Sequence, residues 1–280
     1  MFCYSHDRKK EIIECINRCL YCHVCFSKQK YVKLNKQFIL FCMFSIVIPT
    51  KNEEYYLPFL LKSLKKQTLK PKQIIVADAF SSDRTREIAQ SFGCEVVDGG
   101  LPGSGRNRGA SCANQPWIIF LDADVEFEDP TFLERAYSQL QTRDLDLATC
   151  SIRPISNRRI DHFFHTCYNV YTRACQPFMV HAPGLCIFIK RQLHEQINGF
   201  DETIIFCEDH EYAKRASKIG RFGFLSKDLH VPVSIRRLKR DGYIHIAGKY
   251  FLSELHLLFL GPIRDNKFKY DLDYKKDERV

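Results

Sequence analysis

Residues 117–127, WIIFLDADVEF, place five apolar residues directly before two aspartates that are one residue apart, Asp122 and Asp124. A short apolar run of this kind predicts a buried β-strand. Alternate residues of a strand point to the same face, so both carboxylates are expected to face the same way. Two like charges that close repel each other, and burial raises the cost unless a cation lies between them. The stretch therefore indicates either a metal site or a solvated strand end.

Short apolar runs and helical segments alternate on the N-terminal side of this strand. Strands are predicted at FSIVIP (44–49), QIIVAD (73–78) and CEVVD (94–98). Strands that alternate with helices predict an α/β fold with a mostly parallel central sheet flanked by helices. Ligand sites in such folds lie at the carboxyl ends of the strands, where Asp78 and Asp122 stand.

The intervening helices are predicted from apolar spacing and capping residues. They cover residues 53–67, 81–93 and 104–115. For the second of them, Ser82 or Asp83 is the expected N-cap and Gly93 the stop. After about residue 150 the alternation weakens, and the expected elements are helices at 160–175 and 207–220, strands at 184–190, 221–225 and 230–236, and an amphipathic C-terminal helix at 241–260.

Composition and charge narrow the class of protein. The net charge of +9 is moderate, and residues 1–42 carry eight Lys or Arg against three Asp or Glu. This distribution argues against a dedicated nucleic-acid-binding protein and suits contact with phosphates or an anionic membrane surface. The 13 cysteines are scattered and no secretory signal precedes them, which favours reduced thiols in a cytoplasmic protein.

Residues 1–42 form a cysteine-rich N-terminal appendage whose nature stays open. Cys15, Cys19, Cys22 and Cys25 are spaced so that three of them resemble the cluster-binding triplet of radical S-adenosylmethionine enzymes, and four thiolates could equally hold zinc. The alternatives are a segment outside the folded domain, or sequence upstream of a start at Met43.

Two other classes of enzyme also place acidic or glycine-rich motifs near strand ends. A haloacid-dehalogenase phosphatase requires Thr or Val two residues after the second Asp, where this chain has Glu126. A dinucleotide-binding dehydrogenase requires Gly-x-Gly-x-x-Gly after its first strand, and the turn IPTKNEEYYLP contains no glycine. The sequence excludes both classes.

Five motifs in order resemble glycosyltransferase family 2, whose nucleotide-sugar fold is called GT-A. They are SIVIPTKNEEYYLPFLLKSLKKQ, IIVADAFSSDRT, GSGRNRGA, IIFLDADVEF and EDHEYAKRA, with APGLCIFIKRQLHEQINGFDE as an acceptor-side segment between the last two. The resemblance covers roughly residues 44–240. It implies a GT-A domain at 43–240, with a nucleotide-binding half at 43–125 and an acceptor half at 126–240, followed by a C-terminal amphipathic helix and charged tail at 241–280.

The resemblance implies a metal-dependent donor site. Asp124 would hold Mg²⁺ or Mn²⁺, and Asp122 would contact the ribose or the metal. His230 could complete the metal shell, although a hydrogen-bonded core histidine is the alternative. Carboxylates and substrate phosphates together are the usual ligands of these cations.

The resemblance also implies the residues that bind the nucleotide. Asp78 would bind the base, with helix capping as the alternative. Pro49, Thr50 and Glu53 would line the base and ribose, although Glu53 could act only on the helix N-terminus. Arg106 would approach the diphosphate from a small-residue loop, or lie on the surface.

The acceptor side of the resemblance supplies the catalytic residues. Asp209 would be the general base and Glu208 would position it or the acceptor, unless both acids only favour a helix start. The implied reaction moves a sugar, with inversion, from a UDP-sugar to an acceptor glycan or lipid-linked sugar. The Trp common after Arg236 and Arg237 is absent, which argues for a non-processive enzyme. The alternative is a catalytically silent relative that binds nucleotide sugars at a membrane surface.

The apolar surface of the C-terminal helix concerns the location of the protein in the cell. Ile246, Tyr250, Leu257 and Leu260 form one apolar stripe, widened by Phe251, Leu255 and Leu258. A stripe this wide requires a cover, which is either the domain itself or a membrane surface. Basic residues just before the helix suit anionic lipid, namely Arg236, Arg237, Lys239 and Arg240. The second alternative predicts peripheral contact at the inner face of the membrane.

Overall fold

A computed structural model of the chain describes residues 43–176 and 178–268. All of them belong to one compact unit, Phe41–Val280. The predictions for the N-terminal cysteines and for the charged tail beyond residue 268 lie outside the described residues.

A seven-stranded sheet forms the centre of the described unit, and a two-stranded sheet lies beside it. The strands are β1 (Phe44–Thr50), β2 (Gln73–Asp78), β3 (Glu95–Asp98), β4 (Trp117–Leu121), β5 (Leu147–Thr149), β6 (Ser151–Pro154), β7 (Cys186–Lys190), β8 (Phe222–Phe224) and β9 (His230–Val233). The order in the large sheet is β3-β2-β1-β4-β7-β5-β8, and β6 pairs with β9.

The large sheet is mostly parallel, as predicted. Strands β3, β2, β1 and β4 run parallel to one another, and β5 is parallel to β8. Strand β7 is antiparallel to both of its neighbours, β4 and β5. The carboxyl ends of β1, β2 and β4 consequently meet at one edge, which is where the sequence places its acids.

The helices flank this sheet. They are α1 (Leu57–Lys66), α2 (Thr85–Ser91), α3 (Pro102–Cys112), α4 (Phe132–Thr142), α5 (Arg159–Cys175), α6 (Arg191–Gln196), α7 (Glu208–Ala216), α8 (Arg236–Asp241) and α9 (Tyr243–Phe259), with a 3₁₀ turn at Asn266–Phe268.

Two helix starts differ from the predictions. Helix α1 begins at Leu57 rather than at residue 53, because Pro58 favours the first turn of a helix. The N-cap of α2 is Arg84, so the prediction of Ser82 or Asp83 is wrong. Asp83 instead accepts hydrogen bonds from the backbone and hydroxyl of Thr85, the first residue of the helix. Gly93, with φ of +80°, follows the end of α2 as predicted.

Helix α3 packs unusually close to the sheet because its residues are small. A Cβ atom added to Gly109 would lie 2.3 Å from Val47 Cγ1 on β1. Buried side chains of β1, β4 and β7 form one core cluster with residues of this helix and of α7, among them Val47, Phe120 and Ile187. Each such side chain contributes about 1.5–3 kcal/mol on burial. The close approach of α3 carries Arg106 toward the carboxyl ends of the strands.

The C-terminal helix α9 is apolar on two opposite faces, which differs from the predicted single stripe. Its inward face includes the buried Ile246 and Ser253 and the half-buried Leu257. Its outward face consists of exposed apolar side chains: Ile244, Phe251, Leu252, Leu255, Leu258 and Phe259. Within the described part of the chain, no helix is both long and apolar enough to cross a bilayer.

Candidate active site

The loops after β1 and β2 are joined through Asp78, the last residue of β2. Its carboxylate accepts hydrogen bonds from the hydroxyl of Thr50 at 3.0 Å and from the backbone N–H of Ser81 at 3.0 Å. Arg86 Nη1 also lies 3.3 Å from the second carboxylate oxygen. The Asp78 side chain is fully buried, so in this conformation it organises the loop rather than facing an open cleft.

Left-handed backbone shapes both of these loops. Asn52 after β1 has φ of +54° and Phe80 after β2 has φ of +56°. Such conformations are rare outside glycine and concentrate at functional sites. Lys51 Nζ donates to the carbonyls of Ala79 and Phe80 at 2.8 and 2.9 Å, which ties the two loops together.

The two aspartates lie in a turn, because β4 ends at Leu121 and not beyond it. The prediction that both acids share one strand face is therefore wrong in its geometry. Each carboxylate has a separate arginine partner: Asp122 Oδ1 lies 2.9 Å from Arg106 Nη2, and Asp124 Oδ2 lies 3.2 Å from Arg236 Nε. Positive charge does lie beside the pair, as the repulsion argument requires.

Arg106 connects the acidic turn to the helix that carries the second acid pair. Its Nη1 donates to Glu208 Oε1 at 2.7 Å while Nη2 donates to Asp122. The side chain is 3% exposed, so the interpretation as a surface arginine is wrong. Burial opposes the charged form, but Asp122, Glu208 and Asp209 together raise the pKa of Arg106 above its usual value. Arg106 is consequently a permanent cation between the acids.

Arg236, the first residue of α8, connects a second pair of acids. Its Nη1 and Nη2 donate to the two carboxylate oxygens of Glu53 at 2.9 and 2.7 Å, and its Nε faces Asp124. Burial raises the pKa of Glu53 to about 7 against the attraction of Arg236, and Asp124 and Asp122 add to the rise. Burial also raises the pKa of Asp124. Burial is the largest cause of both pKa shifts, and the attraction of Arg236 offsets it only in part.

We expect Glu53→Gln to change how stability depends on pH. The folded-state pKa of Glu53, about 7, lies above its ordinary 4.5, so the native state keeps a proton that the unfolded chain has lost. The wild-type free energy of unfolding should fall relative to Glu53→Gln as pH rises from about 4.5 through about 7. At about 1.4 kcal/mol per pKa unit, the wild type should lose about 3 kcal/mol of unfolding free energy relative to Glu53→Gln over this pH range.

Urea unfolding in chelator-containing buffer at several pH values measures this difference. Glu87→Gln is the matched control, because the Glu87 side chain is 72% exposed. It should leave the pH dependence unchanged. Parallel pH profiles for wild type and Glu53→Gln would contradict the expectation.

The second acid pair opens α7. Cys207, directly before Glu208, has φ of +60°, a strained conformation that turns the chain into the helix. Asp209 Oδ2 accepts a hydrogen bond from the backbone N–H of Gly184 at 2.6 Å. A Cβ atom at Gly184 would lie 2.5 Å from Arg106 Nη2, so only glycine lets Arg106 and Asp209 approach this segment. Burial, followed by repulsion from Asp209, raises the pKa of Glu208 to about 6.

His230 is not brought to the acidic turn. Its Nε2 lies 3.4 Å from Arg153 Nη1, which also contacts Glu128. The bridge from Val125 reaches Val233, three residues further along β9. Three residues of a strand span roughly 10 Å. The predicted ligand role of His230 is therefore corrected, and it is left out of the metal set argued below.

The other predicted residues do converge at one edge of the sheet. Pro49 lies on β1 against α3, where a Cβ atom at Gly105 would contact its ring at 3.5 Å. Thr50 contacts Asp78, Glu53 meets Arg236, and Arg106 joins Asp122 to Glu208.

Asp122 and Asp124 fit a hard divalent cation. Their donor atoms are carboxylate oxygens, which Mg²⁺ and Mn²⁺ prefer. The Asp122 side chain is 33% exposed, so it can be reached from outside. Burial is the main cause of the raised pKa of Glu53, but Asp124 and Asp122 add to it, so the carboxylates repel one another here. A divalent cation would relieve that repulsion.

Comparisons with known proteins identify the family of the chain. The chain matches the family described as Glycosyl transferase family 2 over residues 45–197. It is 35% identical over 139 residues to a 4,4'-diaponeurosporenoate glycosyltransferase of Staphylococcus haemolyticus, a match that covers 45% of this chain and 33% of the relative. The chain thus spans about a third of the length of that curated relative.

Two solved structures have a similar fold. One is S. aureus TarS 1–349 in complex with UDP-GlcNAc, with a TM-score of 0.59 at 20% identity, covering 78% of this chain and 66% of that one. The other is the mannosyltransferase PcManGT from Pyrobaculum calidifontis in complex with GDP-Man and Mn²⁺, with a TM-score of 0.58 at 17% identity, covering 76% and 65%. At such identities the similarity shows the GT-A fold alone. Together with the family match, it shows that this chain belongs to glycosyltransferase family 2.

Proposed function

We propose that this protein is a metal-dependent glycosyltransferase that moves one sugar from a nucleotide-diphosphate sugar to an acceptor hydroxyl, with inversion and without processive elongation. The main support for the proposal is that Arg106 forms ion pairs with both Asp122 and Glu208. Asp122, which we assign to the donor side, and Glu208, which we assign to the acceptor side, thus contact the same buried cation.

The nucleotide-binding half of the proposed domain, residues 43–125, supplies the donor site. Pro49, Thr50 and Glu53 would line the base and ribose. Asp78 would accept a hydrogen bond from the base. Because Asp78 is buried beneath Ser81, we infer that the loop after β2 moves when a nucleotide enters.

The acceptor half, residues 126–240, supplies the base. In the proposed reaction Asp209 takes the proton of the acceptor hydroxyl while its oxygen forms a bond to the anomeric carbon. The bond from that carbon to the diphosphate oxygen breaks, and the diphosphate carries the electron pair away. Gly184 N–H holds one oxygen of Asp209, which orients the carboxylate. In this proposal Glu208 holds Arg106 in place and does not take the proton of the acceptor.

The departing diphosphate requires positive charge. Asp124 and Asp122 would hold Mg²⁺ or Mn²⁺, which supplies Lewis-acid stabilisation of the leaving group when bound. Arg106 and Arg236 form ion pairs with these acids and add positive charge beside them. When a donor is bound, the Nε of Arg236 can donate to a phosphate instead of to Asp124. The bidentate contact with Glu53 would still hold the Arg236 side chain in place.

The donor is proposed to be a UDP-sugar and the acceptor a glycan or lipid-linked sugar. UDP-GlcNAc bound to TarS supports the first, and the name of the S. haemolyticus relative supports an acceptor other than a protein. The competing proposal is a silent relative that binds the nucleotide sugar without transfer. All of the predicted acids are present, and four of them form ion pairs with Arg106 or Arg236, which favours the enzyme.

Isothermal titration with UDP and with GDP, each with and without Mn²⁺, tests the proposal. We expect UDP to bind more tightly than GDP and to require Mn²⁺. Transfer of sugar to a mixture of lipid-linked acceptors then separates the enzyme from the silent relative. If neither nucleotide binds, both the enzyme proposal and the proposal of a silent nucleotide-sugar-binding relative are contradicted.

We further propose that helix α9 rests on an anionic membrane surface. Its outward face is apolar, with Phe259 79% and Ile244 89% exposed. Lys239 and Arg240 are exposed just before it, whereas Arg236 faces the active site and no longer counts among the lipid-facing cations. Each basic residue near such a surface contributes about 1 kcal/mol, so binding should be weak and sensitive to salt.

Liposome flotation checks this proposal. The wild-type protein should float with anionic vesicles at low salt and sediment at high salt. Phe251→Ser with Phe259→Ser should abolish flotation, because the apolar face is lost. Ile219→Ser is the matched control: Ile219 is 63% exposed but lies outside α9, so flotation should persist. Wild-type protein that stays unbound at low salt would show that the exposed face serves another purpose.

A further inference from the structure

A second cluster of ligand-type side chains lies beside the acid pair of α7. It consists of His181 from the segment before β7, His210 from α7 and Glu254 from α9. One ligand atom from each lies within 4.8 Å of the other two. The cluster thus adds α9 to two parts of the chain, the segment before β7 and α7, that the Gly184–Asp209 hydrogen bond already connects.

The hydrogen bonds of His181 show that this cluster needs a positive charge. Its Nδ1 lies 3.1 Å from the carbonyl oxygen of Met179, which can only accept, so Nδ1 carries a hydrogen. A neutral His181 then presents the lone pair of Nε2 to Glu254 Oε1 at 2.9 Å. Two acceptors cannot face each other at this distance unless a proton or a metal cation lies between them.

Two further atoms of the cluster are buried without a partner. His210 Nδ1 and Glu254 Oε2 have no hydrogen-bond partner among the residues that the structure describes. Buried polar atoms in this state are uncommon and call for an explanation. His210 Nδ1 lies 3.6 Å from Glu254 Oε1, which is too far for a hydrogen bond.

The distances are compatible with one metal ion, whereas a proton shared by His181 and Glu254 would leave His210 Nδ1 without a partner in the described part of the chain. Ligands at about 2.1 Å from a tetrahedral zinc ion are about 3.4 Å apart. The two separations from Glu254 Oε1, 2.9 and 3.6 Å, lie on either side of this value. Metal-bound histidines usually donate their other N–H to a carbonyl or carboxylate, as His181 does to Met179.

We propose that His181, His210 and Glu254 bind a divalent transition-metal ion of the zinc class, at a site separate from Asp122 and Asp124. Two imidazoles and one carboxylate form a donor set that favours Zn²⁺ or Co²⁺, whereas the all-oxygen pair favours Mg²⁺ or Mn²⁺. The ion fastens α9 to α7. It also fixes the ring of His210, whose Nε2 lies 4.0 Å from Asp209 Oδ1.

The test uses the full chain in the presence of excess Mg²⁺, which occupies oxygen-ligand sites. Because the N-terminal cysteines could also bind zinc, the parent protein carries Cys15→Ser, Cys19→Ser, Cys22→Ser and Cys25→Ser. Zn²⁺ is titrated by calorimetry, and Co²⁺ by its visible absorption. The parent should bind one ion and show the d–d bands of a four-coordinate nitrogen and oxygen site without thiolate charge transfer.

Glu254→Gln and His210→Gln should each weaken Zn²⁺ binding by at least about 10-fold. His245→Gln is the matched control, since His245 is an exposed histidine on the same helix, and Asp124→Asn is the control for the other site. Both should bind Zn²⁺ like the parent. Circular dichroism verifies folding, and Zn²⁺ should raise the Tm of the parent but not that of Glu254→Gln. Absence of stoichiometric binding, or equal binding by all variants, would overturn the proposal and leave a protonated His181–Glu254 pair.

Discussion

Asp209→Asn is expected to bind the donor nucleotide as the wild type does and to lose sugar transfer by about 10²-fold or more, as removal of a general base typically does. The amide still accepts a hydrogen bond from Gly184 N–H through its oxygen, so the local structure should survive. Initial rates of transfer, together with titration of the nucleotide, measure the two quantities separately.

Glu208→Gln distinguishes the base from its neighbour. Glu208 holds Arg106, so its loss should weaken donor binding as well as transfer. Glu202→Gln is the control, because it removes an exposed carboxylate from the loop that precedes α7. An active Asp209→Asn beside an inactive Glu208→Gln that still binds donor would reverse the assignment of the base.

Asp124→Asn is expected to abolish Mn²⁺-dependent nucleotide binding and to lower turnover by at least about 10²-fold, since Lewis-acid stabilisation amounts to several kcal/mol. The fold should remain intact, because Arg236 keeps its bidentate contact with Glu53. Calorimetry of UDP with Mn²⁺, and Tm measurements without it, give the two results.

Asp129→Asn provides the control for this prediction. Asp129 is a carboxylate in the loop after the acidic turn, and its partners are Thr131 and Arg135 rather than any residue of the site. Its substitution should leave Mn²⁺-dependent binding unchanged. Wild-type activity of Asp124→Asn in chelator-treated buffer would exclude the metal role of Asp124.

The central sheet could be predicted because its signals are local. Apolar runs and their flanking turns identify β1 to β4, and parallel pairing follows from the helices between them. Helix α4 and the short strands β5 and β6 were not predicted, although Phe132, Leu133, Ala136 and Leu140 have helical spacing.

The partners within the site could not be predicted from the sequence. Arg106 and Glu208 are 102 positions apart, and Arg236 and Glu53 are 183 apart. No periodicity or local motif links residues at such separations. The predicted roles of Arg106 and His230 depended on which residues lie next to them, and this is known only from the folded structure.

The orientation of α9 could not be predicted from the sequence either. The apolar residues of the helix surround most of its circumference, so the pattern does not tell which face is inward. Ser253 is buried although it is polar, while Phe251 is exposed although it is aromatic. The Ser253 side chain contacts the Cys207 thiol, and its hydroxyl donates to the backbone oxygen of Tyr250.

The position of β4 in the sheet has a consequence for how the chain folds during synthesis. All five residues of β4 are buried, and it lies between β1 and the antiparallel β7. Until the ribosome has produced Cys186, β4 is the outer strand of an unfinished sheet, with an apolar, unpaired edge. Such edges invite pairing with other chains. Residues 43–125 expressed as a fragment would keep that edge permanently, so we expect residues 43–125 and the strands that follow them to fold as one unit.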